Sequence, residues 1–205
     1  VAALRVLGLV PASPWLAESH GHTADTRAMG LWNRLDRWAL RRSGVVVAVS
    51  GAWEAALSAA GVPAGRLFTA GNSTAILPGG PVPAASAASS MPAGRTLVFA
   101  GRLSPEKGLD LLLGLWPELA AACSDLHLHV LGAPAPSASY RRHLAPLLDQ
   151  DRVHVPGFQV DIRPWLAAAE AVVVPSRWEA WGMTAFEALS AGVPVVASRV
   201  GGLPS

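Results

Sequence analysis

Short apolar runs alternate with helix-like segments along the second half of the chain, and this alternation constrains the fold more than any other sequence feature. Strands that alternate with helices build parallel sheets, whose buried strands read as nearly continuous apolar runs. The pattern predicts a doubly wound α/β domain that binds ligands at the carboxyl ends of its strands. Five runs of strand length carry it: TLVFAG, LHLHVLG, RVHVPG, AVVVPS and PVVAS. Four helix-like segments lie between them: LDLLLGLW, SYRRHLAPLL, IRPWLAAAE and TAFEALSAG.

The first 77 residues repeat this alternation more loosely. The runs LRVLGLV and GVVVAVS predict strands, and SGAWEAALSAAGVPAGRLFTAGN predicts a short helix with a glycine stop, followed by a strand. Residues 78–95 are rich in proline, glycine and small residues, which is typical of a flexible linker. The sequence therefore predicts a first domain over 1–77, a linker over 78–95 and a second domain over 96–205.

The segment LWNRLDRWALRR is amphipathic. At helical spacing it places Leu31, Leu35, Trp38 and Ala39 on one face and most of its arginines elsewhere. We expect this helix to pack on its own sheet. Because tryptophan and arginine suit a lipid interface, a helix that lies on anionic lipid is the alternative.

The composition excludes several classes of protein. Of the 205 residues, 51% are apolar and 15% charged, which excludes a disordered chain, and a net charge of +2 gives no footprint for nucleic acid. One cysteine, Cys123, cannot form an intrachain disulfide or a cysteine zinc cluster and favours a cytoplasmic location. The apolar runs are too short to span a bilayer. Because the chain starts without methionine and stops after a strand-like run, we expect a fragment that lacks both ends of a larger protein.

The motif FAGRLSPEKG holds a candidate anion site. It reads as a strand that turns at Gly101 and enters a helix with Ser104 as N-cap and Pro105 in the first turn. Arg102 and Lys107 then flank a helix N-terminus, where two cations suit a di-anion such as a pyrophosphate. The alternative is that both are solvated surface charges. Lys107 is the one lysine among sixteen basic residues, which makes its position worth weighing.

The motif RWEAWGMTAFEALSAG holds two carboxylates, Glu179 and Glu187, in an otherwise apolar stretch. Thr184 and Glu187 have the spacing of a capping box, in which Glu187 would only satisfy a backbone N–H group. Alternatively, both acids accept hydrogen bonds from the hydroxyls of one ligand, while the amides of Gly182, Met183 and Thr184 meet its phosphate. Carboxylates for hydroxyls and amides for phosphate describe a nucleotide-sugar site.

These motifs together resemble the donor-binding half of family 4 retaining glycosyltransferases, which have the GT-B fold. The resemblance rests on FAGRLSPEKGLDLLL, RVHVPGF, AVVVPSRWEAWGMTAFEALSAGVPVVAS and VGGLPS. It covers residues 94–205 and extends more loosely over 20–77. It implies two Rossmann-like domains with parallel sheets, the first incomplete and the second without its C-terminal helices.

The resemblance also implies roles for individual residues. Arg102 and Lys107 would bind the donor diphosphate, Glu187 the ribose hydroxyls and Glu179 the region of the donor sugar. Arg102, Lys107 and Glu179 are thus the candidate catalytic residues. The other implied donor-binding positions are Gly101, Gly157, Phe158, Gly182, Met183, Thr184, Gly201 and Gly202.

The family's activity is the transfer of a sugar from a nucleotide-diphosphate sugar to an acceptor hydroxyl with retention of anomeric configuration. The resemblance implies no metal and no cofactor, since the cations and a helix dipole neutralise the leaving diphosphate. The acceptor would be a carbohydrate, a lipid-linked molecule or a small molecule, and the first domain could touch a membrane peripherally. The alternative is a nucleotide-sugar-binding relative without transferase activity, such as an epimerase, a phosphorylase or an inactive binding module.

Some positions match the family less closely. His20 corresponds to an acceptor-side histidine near the interdomain cleft, but the preceding LAES lacks the pattern of a buried strand. GNST and LGAPAP replace the usual Asn-Gly and Gly-x-Gly turns, and Ser205 stands where an acidic residue is common. His127, His129 and His154 lack the spacing of a zinc site, so we expect polar residues at the edge of the core.

Overall fold

The structure is a computed structural model, and it describes residues 16–19, 27–72, 91–134 and 137–204. The chain folds into two compact units. The first comprises Val1–Ser73, Glu179–Trp181 and Arg199–Ser205, and the second comprises Thr74–Trp178 and Gly182–Ser198. The predicted strand LRVLGLV, His20, Ser205 and residues 78–90 of the predicted linker lie outside the described residues, so the predicted domain boundaries stay a prediction.

In its described part, the first unit has a parallel sheet of three strands in the order β1-β2-β3. The strands are β1 (Leu16–Ser19), β2 (Val45–Ala48) and β3 (Leu67–Thr69). Two helices connect them: α1 (Arg27–Leu40) and α2 (Gly51–Ala59). The predicted helix in LWNRLDRWALRR, the strand in GVVVAVS and the helix and strand that follow are confirmed.

Strand β1 corrects an expectation, because it is formed by LAES. It pairs in parallel with β2 over its full length, from Leu16 opposite Val45 to Ser19 opposite Ala48. The run is short and contains a glutamate, so its sequence pattern alone does not reveal it. The run forms a strand because it pairs with the apolar β2 in the sheet. It ends directly before His20.

Helix α1 packs on the first unit through its C-terminal end, where Ala39 and Leu40 are buried. The side chains of Leu31 and Leu35, however, are 58% and 43% exposed. The expectation that these two leucines pack on their own sheet is therefore wrong. They form an apolar strip on the solvent-exposed face of the helix. In the next turns, the Arg42 guanidinium lies 4.4 Å from the Trp38 ring centroid.

The second unit has, among the described residues, a parallel sheet of five strands in the order β6-β5-β4-β7-β8. The strands are β4 (Arg95–Ala100), β5 (Leu126–Leu131), β6 (Val153–Gly157), β7 (Ala171–Val174) and β8 (Val195–Ala197). The helices are α3 (Leu109–Ala122), α4 (Ala138–Leu148), α5 (Arg163–Ala168) and α6 (Met183–Ser190). The five predicted strands and the four helices between them are confirmed.

The strand order changes direction at β4. The chain first moves outward through β5 to β6, then returns to pair β7 with the other edge of β4, with Val98 opposite Val172. Neighbouring connections therefore diverge above the carboxyl ends of β4 and β7. In doubly wound sheets this switch point leaves the crevice in which ligands bind.

Helix α3 fills one side of this sheet. Its buried face packs on Phe99 of β4 and on Leu128 and Val130 of β5. Trp116 is almost fully buried, and its indole N–H donates to the Asp151 carbonyl oxygen over 2.9 Å. The buried side chains of the helix recur at helical spacing and are Leu109, Leu112, Leu113, Trp116 and Ala120.

The three histidines of β5 and β6 lie together, and one of them corrects an expectation. His129 is 1% exposed and packs against Trp165, so it belongs to the core and not to its edge. Burial lowers the pKa of His129 to about 4, with a smaller effect from His154. His127 Nδ1 and His154 Nε2 are 3.0 Å apart. In the described stretches, no three histidine, cysteine, aspartate or glutamate side chains have a metal-binding arrangement.

Candidate functional site

Helix α6 begins on the carboxyl end of β4. The Thr184 hydroxyl donates to the Ala100 carbonyl oxygen over 3.0 Å, which ties the first turn of the helix to the last residue of the strand. The first N–H groups of a helix have no partner within it. The amides at the start of α6 are therefore held at the switch point of the sheet.

The start of α6 differs from the capping box that the sequence suggests. Its N-cap is Gly182, in the left-handed region at φ +100°, and no side chain caps the helix. Thr184 already lies inside the helix and uses its hydroxyl on Ala100. The capping-box interpretation of Glu187 is therefore wrong.

Glu187 lies one turn further along α6. Its side chain is half-buried, and burial raises the pKa of its carboxyl group. No hydrogen bond or ion pair joins this carboxylate to another residue in the stretches described. Since buried polar groups normally have hydrogen-bond partners, the carboxylate is suited to accept hydrogen bonds from a ligand.

The predicted helix after β4 begins later than expected. Ser104 precedes a three-residue 3-10 turn, Pro105–Lys107, and Gly108 then adopts φ +66° before α3 begins at Leu109. The reason is a tertiary contact: a Cβ atom on Gly108 would lie 2.0 Å from the Pro175 carbonyl oxygen. This turn packs directly on the end of β7, and the long helix cannot start until the chain has passed it.

Lys107 is the last residue of this turn, and Arg102 precedes it. A Cβ atom on Gly101 would be 3.9 Å from the Lys107 Cγ atom, so the lysine stem passes over the end of β4. Arg102 is half-exposed and forms an ion pair with Glu106 over 3.3 Å. Both predicted cations therefore lie in the second unit, at the edge of the sheet where α6 begins.

Backbone hydrogen bonds join the carboxyl ends of β4, β5 and β6. Gly101 N–H donates to Leu131 O over 2.9 Å, and Gly132 N–H donates to Gly157 O over the same distance. A Cβ atom on Gly132 would lie 1.8 Å from the Gly101 carbonyl oxygen, so only glycine fits there. Phe158, directly after β6, keeps 69% of its surface exposed.

Glu179 belongs to the first unit. Its carbonyl oxygen accepts the Gly202 N–H over 3.0 Å, and a Cβ atom on Gly201 would lie 1.8 Å from that oxygen. The Ser50 hydroxyl, which also caps α2, donates to Ala180 O over 2.5 Å. Gly201 is thus required by the Glu179 backbone, and Gly202 by that of Ala180, whose carbonyl oxygen would lie 2.4 Å from a Cβ atom on Gly202. The predicted ligand contacts of both glycines stay predictions.

The two units divide the candidate residues between them. The second unit brings together the residues around the end of β4 and the start of α6, whereas the first holds Glu179 with its two glycines. The second-unit residues are Gly101, Arg102, Lys107, Gly157, Phe158, Gly182, Met183, Thr184 and Glu187.

Residues 94–205 match the family described as "Glycosyl transferases group 1". The match covers more than half of the chain and includes both motifs of the sheet edge. The chain belongs to the group 1 glycosyltransferase family.

Curated relatives in this family include several D-inositol 3-phosphate glycosyltransferases. That of Frankia alni is 39% identical over 121 residues, which are 54% of this chain and 30% of the relative. That of Mycolicibacterium gilvum is 37% identical over 127 residues, which are 55% of this chain and 26% of the relative. The matched region thus spans about a quarter to a third of these relatives.

Solved structures of glycosyltransferases share the fold. Sucrose-phosphate synthase from Thermosynechococcus elongatus superposes with a TM-score of 0.78 and 26% identity, over 97% of this chain and 53% of its own. HepE from Anabaena, in complex with UDP-glucose, superposes with a TM-score of 0.77 and 24% identity, over 92% of this chain and 54% of its own. The predicted α/β class with the GT-B fold is confirmed, and this chain spans about half the length of these structures.

In this member of the glycosyltransferase family, the sequence motifs did not reveal an ion pair beside the Pro105–Lys107 turn. Arg177, directly after the Pro-Ser end of β7, binds the Asp110 carboxylate in the first turn of α3. The residues are 67 positions apart, so their charges alone do not reveal the pair. The available signal was that Arg177 follows a strand end at the ligand side of the sheet.

Proposed function

We propose that this protein moves a sugar from a nucleotide-diphosphate sugar to an acceptor hydroxyl with retention of anomeric configuration. The observation that carries the proposal is the sheet edge of the second unit, where Arg102, Lys107 and the half-buried Glu187 lie around the end of β4 and the first turns of α6. Cations suit a diphosphate, and a desolvated carboxylate suits sugar hydroxyls. A nucleotide sugar presents both groups.

The main catalytic work would be stabilisation of the departing diphosphate. Arg102 and Lys107 supply positive charge, and the amides of Gly182, Met183 and Thr184 supply donors at a helix start. Such fixed donors, aimed at charge that develops in the transition state, give large rate effects. We propose that these groups replace a metal ion and that the enzyme needs no cofactor.

The carboxylates would bind the sugars of the donor. Glu187 would accept hydrogen bonds from the ribose hydroxyls, and Glu179 would lie by the donor sugar. The exposed ring of Phe158, with Gly157 before it, would lie by the base. Glu179 would not act as a nucleophile. The acceptor hydroxyl would attack the anomeric carbon on the face that the diphosphate leaves, which retains the configuration.

Calorimetry with the intact protein and a panel of UDP-, GDP- and ADP-sugars, with EDTA present, tests this function. We expect one nucleotide class to bind with EDTA present and NMR of the product to show a retained anomer. Because the curated relatives are named for D-inositol 3-phosphate, polyol phosphates are the first acceptors to try. Absence of binding by every donor would contradict the proposal. Binding without transfer would favour the alternative, a nucleotide-sugar-binding relative without transferase activity.

The same proposal places the protein in the cytoplasm, in peripheral contact with a membrane through α1. Among the stretches that the structure describes, none of the helices combines the length and apolarity needed to cross a bilayer. The exposed Leu31 and Leu35, next to Trp38 and Arg42, support a helix that lies on anionic lipid. A lipid-linked acceptor would then be reached from the membrane surface.

A further inference from the structure

Asp110 and Arg177 form a two-point ion pair in the second unit. Arg177 Nη1 donates to Asp110 Oδ1 and Nη2 donates to Oδ2, each over 2.7 Å. The Asp110 side chain is 15% exposed and that of Arg177 42%. Two parallel hydrogen bonds fix the orientation of both groups, which a single lysine contact would not do.

Arg177 also holds the turn that carries Lys107. Its Nη1 atom donates to the Pro105 carbonyl oxygen over 2.9 Å, and its backbone N–H donates to the Glu106 carbonyl oxygen over 2.8 Å. These are the two residues directly before Lys107. The loop after β7 therefore holds the turn after β4 mainly through Arg177, and the Trp178 N–H adds a longer hydrogen bond of 3.4 Å to the same Glu106 oxygen.

Tyr140 of α4 orients the carboxylate from the other side. Its hydroxyl donates to Asp110 Oδ1 over 2.8 Å. The hydrogen bond from Arg177 is the main reason why the pKa of Asp110 is lowered, and burial is the main reason why the pKa of Tyr140 is raised. Asp110 therefore stays charged and Tyr140 stays protonated at neutral pH, so the network keeps one hydrogen-bonding pattern.

We propose that Asp110 and Arg177 are positioning residues that hold Lys107 in place for the diphosphate of the donor. The inference rests on the proposed function, since it needs Lys107 to meet the diphosphate. Three N–H groups of Arg177 donate to Asp110 and Pro105 within the unit, so the pair acts on Lys107 through the turn. Lys107 can bind the diphosphate well only if the Pro105–Lys107 turn holds it in the right position, because a hydrogen bond weakens steeply as its angle departs from linear.

A double-mutant cycle on the intact protein tests this role. The measured quantity is the dissociation constant of UDP, GDP or ADP, whichever binds the wild type, by calorimetry. We expect Arg177→Met to weaken binding about tenfold, a loss of roughly 1.4 kcal/mol. In a Lys107→Met background, the same change should weaken binding less than about twofold, because the group that Arg177 positions is gone.

Two further variants separate positioning from folding. Arg177→Met leaves the Asp110 carboxylate without its cationic partner. Asp110→Asn with Arg177→Met removes this remaining charge and should bind as weakly as Arg177→Met. Arg177→Lys keeps the charge, loses the two-point geometry and should bind with intermediate affinity. Arg142→Met, on the exposed side of α4, is the matched control and should bind like the wild type.

The outcomes distinguish this inference from the proposed function. If the wild type binds a nucleotide diphosphate and the losses from Arg177→Met and Lys107→Met multiply in full, the positioning role is overturned while the function stands. Wild-type affinity in the Asp110→Asn, Arg177→Met double variant would overturn it as well. If the wild type binds none of the three nucleotides, the proposed function fails and the inference fails with it.

Discussion

The hydroxyl of Thr184 donates a hydrogen bond of 3.0 Å to the carbonyl oxygen of Ala100, 84 residues earlier in the chain. One residue closes β4 and the other belongs to the first turn of α6. Because the cations follow β4 and Glu187 lies on α6, this bond fixes the two halves of the second unit's candidate site in one frame. The bond joins a side chain to a backbone carbonyl, so a substitution of Thr184 can test its contribution.

Thr184→Val removes this hydrogen bond at nearly constant volume. We expect a loss of about 1 kcal/mol in the free energy of unfolding, because the partly buried Ala100 carbonyl loses its donor. Nucleotide affinity should also fall, because the start of α6 is released. Urea unfolding and calorimetry measure the two effects. Thr184→Ser keeps the hydroxyl and is the control, and equal behaviour of the two variants would contradict the prediction.

Lys107→Ala should lower turnover by more than roughly tenfold, since hydrogen bonds to charged groups are among the strong ones. The measurement is the initial rate of sugar transfer with the donor that binds. Arg142→Ala changes the net charge by the same amount on an exposed part of α4 and should keep the wild-type rate. A near wild-type rate in Lys107→Ala would remove this lysine from the site.

Glu187→Gln should weaken donor binding and stabilise the fold at neutral pH. Burial raises the pKa of Glu187 above its ordinary value, so the folded state favours the protonated form. Its contribution to stability is therefore present at low pH and is lost as pH rises through the folded-state pKa. Thermal unfolding at pH 4 and pH 7 should show the gain from glutamine at the higher pH. Unchanged affinity of the Glu187→Gln variant for the donor would contradict a role of Glu187 in ligand binding.

Acid should destabilise the second unit through His129. The folded-state pKa of about 4 lies below the ordinary value of 6.5, because burial favours the neutral ring, and charge on His154 and His127 adds to this. Stability is therefore present above pH 6.5 and is lost as pH falls toward 4, by about 3 kcal/mol at most. Urea unfolding of His129→Leu should show a flatter pH dependence. His143→Leu, at an exposed site, should keep the wild-type slope.

The outer strip of α1 predicts binding to anionic lipid. The intact protein should sediment with phosphatidylglycerol vesicles, less so at high salt, and not with phosphatidylcholine vesicles. Replacing Leu31 and Leu35 with serine should reduce this binding without loss of thermal stability, because both side chains are already exposed. Equal sedimentation of the variant and the wild type would contradict a role for the strip.

The sequence predicted the elements of the second unit well because its inner strands β4, β5 and β7 are largely buried and read as mostly apolar runs. It failed where tertiary contacts decide. Gly108 must adopt φ +66° because Pro175 O lies against it, so the helix begins at Leu109 and not after Ser104. Likewise, the Thr-x-x-Glu spacing suggests a cap, but the left-handed Gly182 starts the helix.

The candidate site was predictable to the same degree. Arg102, Lys107 and Glu187 were named from motifs, since each lies next to a strand end or on the helix that follows it. The pair of Asp110 and Arg177 was not, because two charges 67 residues apart have no periodic signal. Strand β1 was missed for a related reason: a four-residue run depends on its neighbour in the sheet more than on its own side chains.

The backbone hydrogen bonds at the carboxyl ends of β4, β5 and β6 have a consequence for how such a site can diversify. The spacing of these strand ends is set by peptide groups, as in the bonds from Gly101 to Leu131 and from Gly132 to Gly157. Side chains on the loops, such as Phe158, can therefore be exchanged during evolution without moving the strand ends themselves. In the proposed site, the choice of nucleotide would then be separable from the spacing of the strand ends, and a lineage could change the first while it inherits the second.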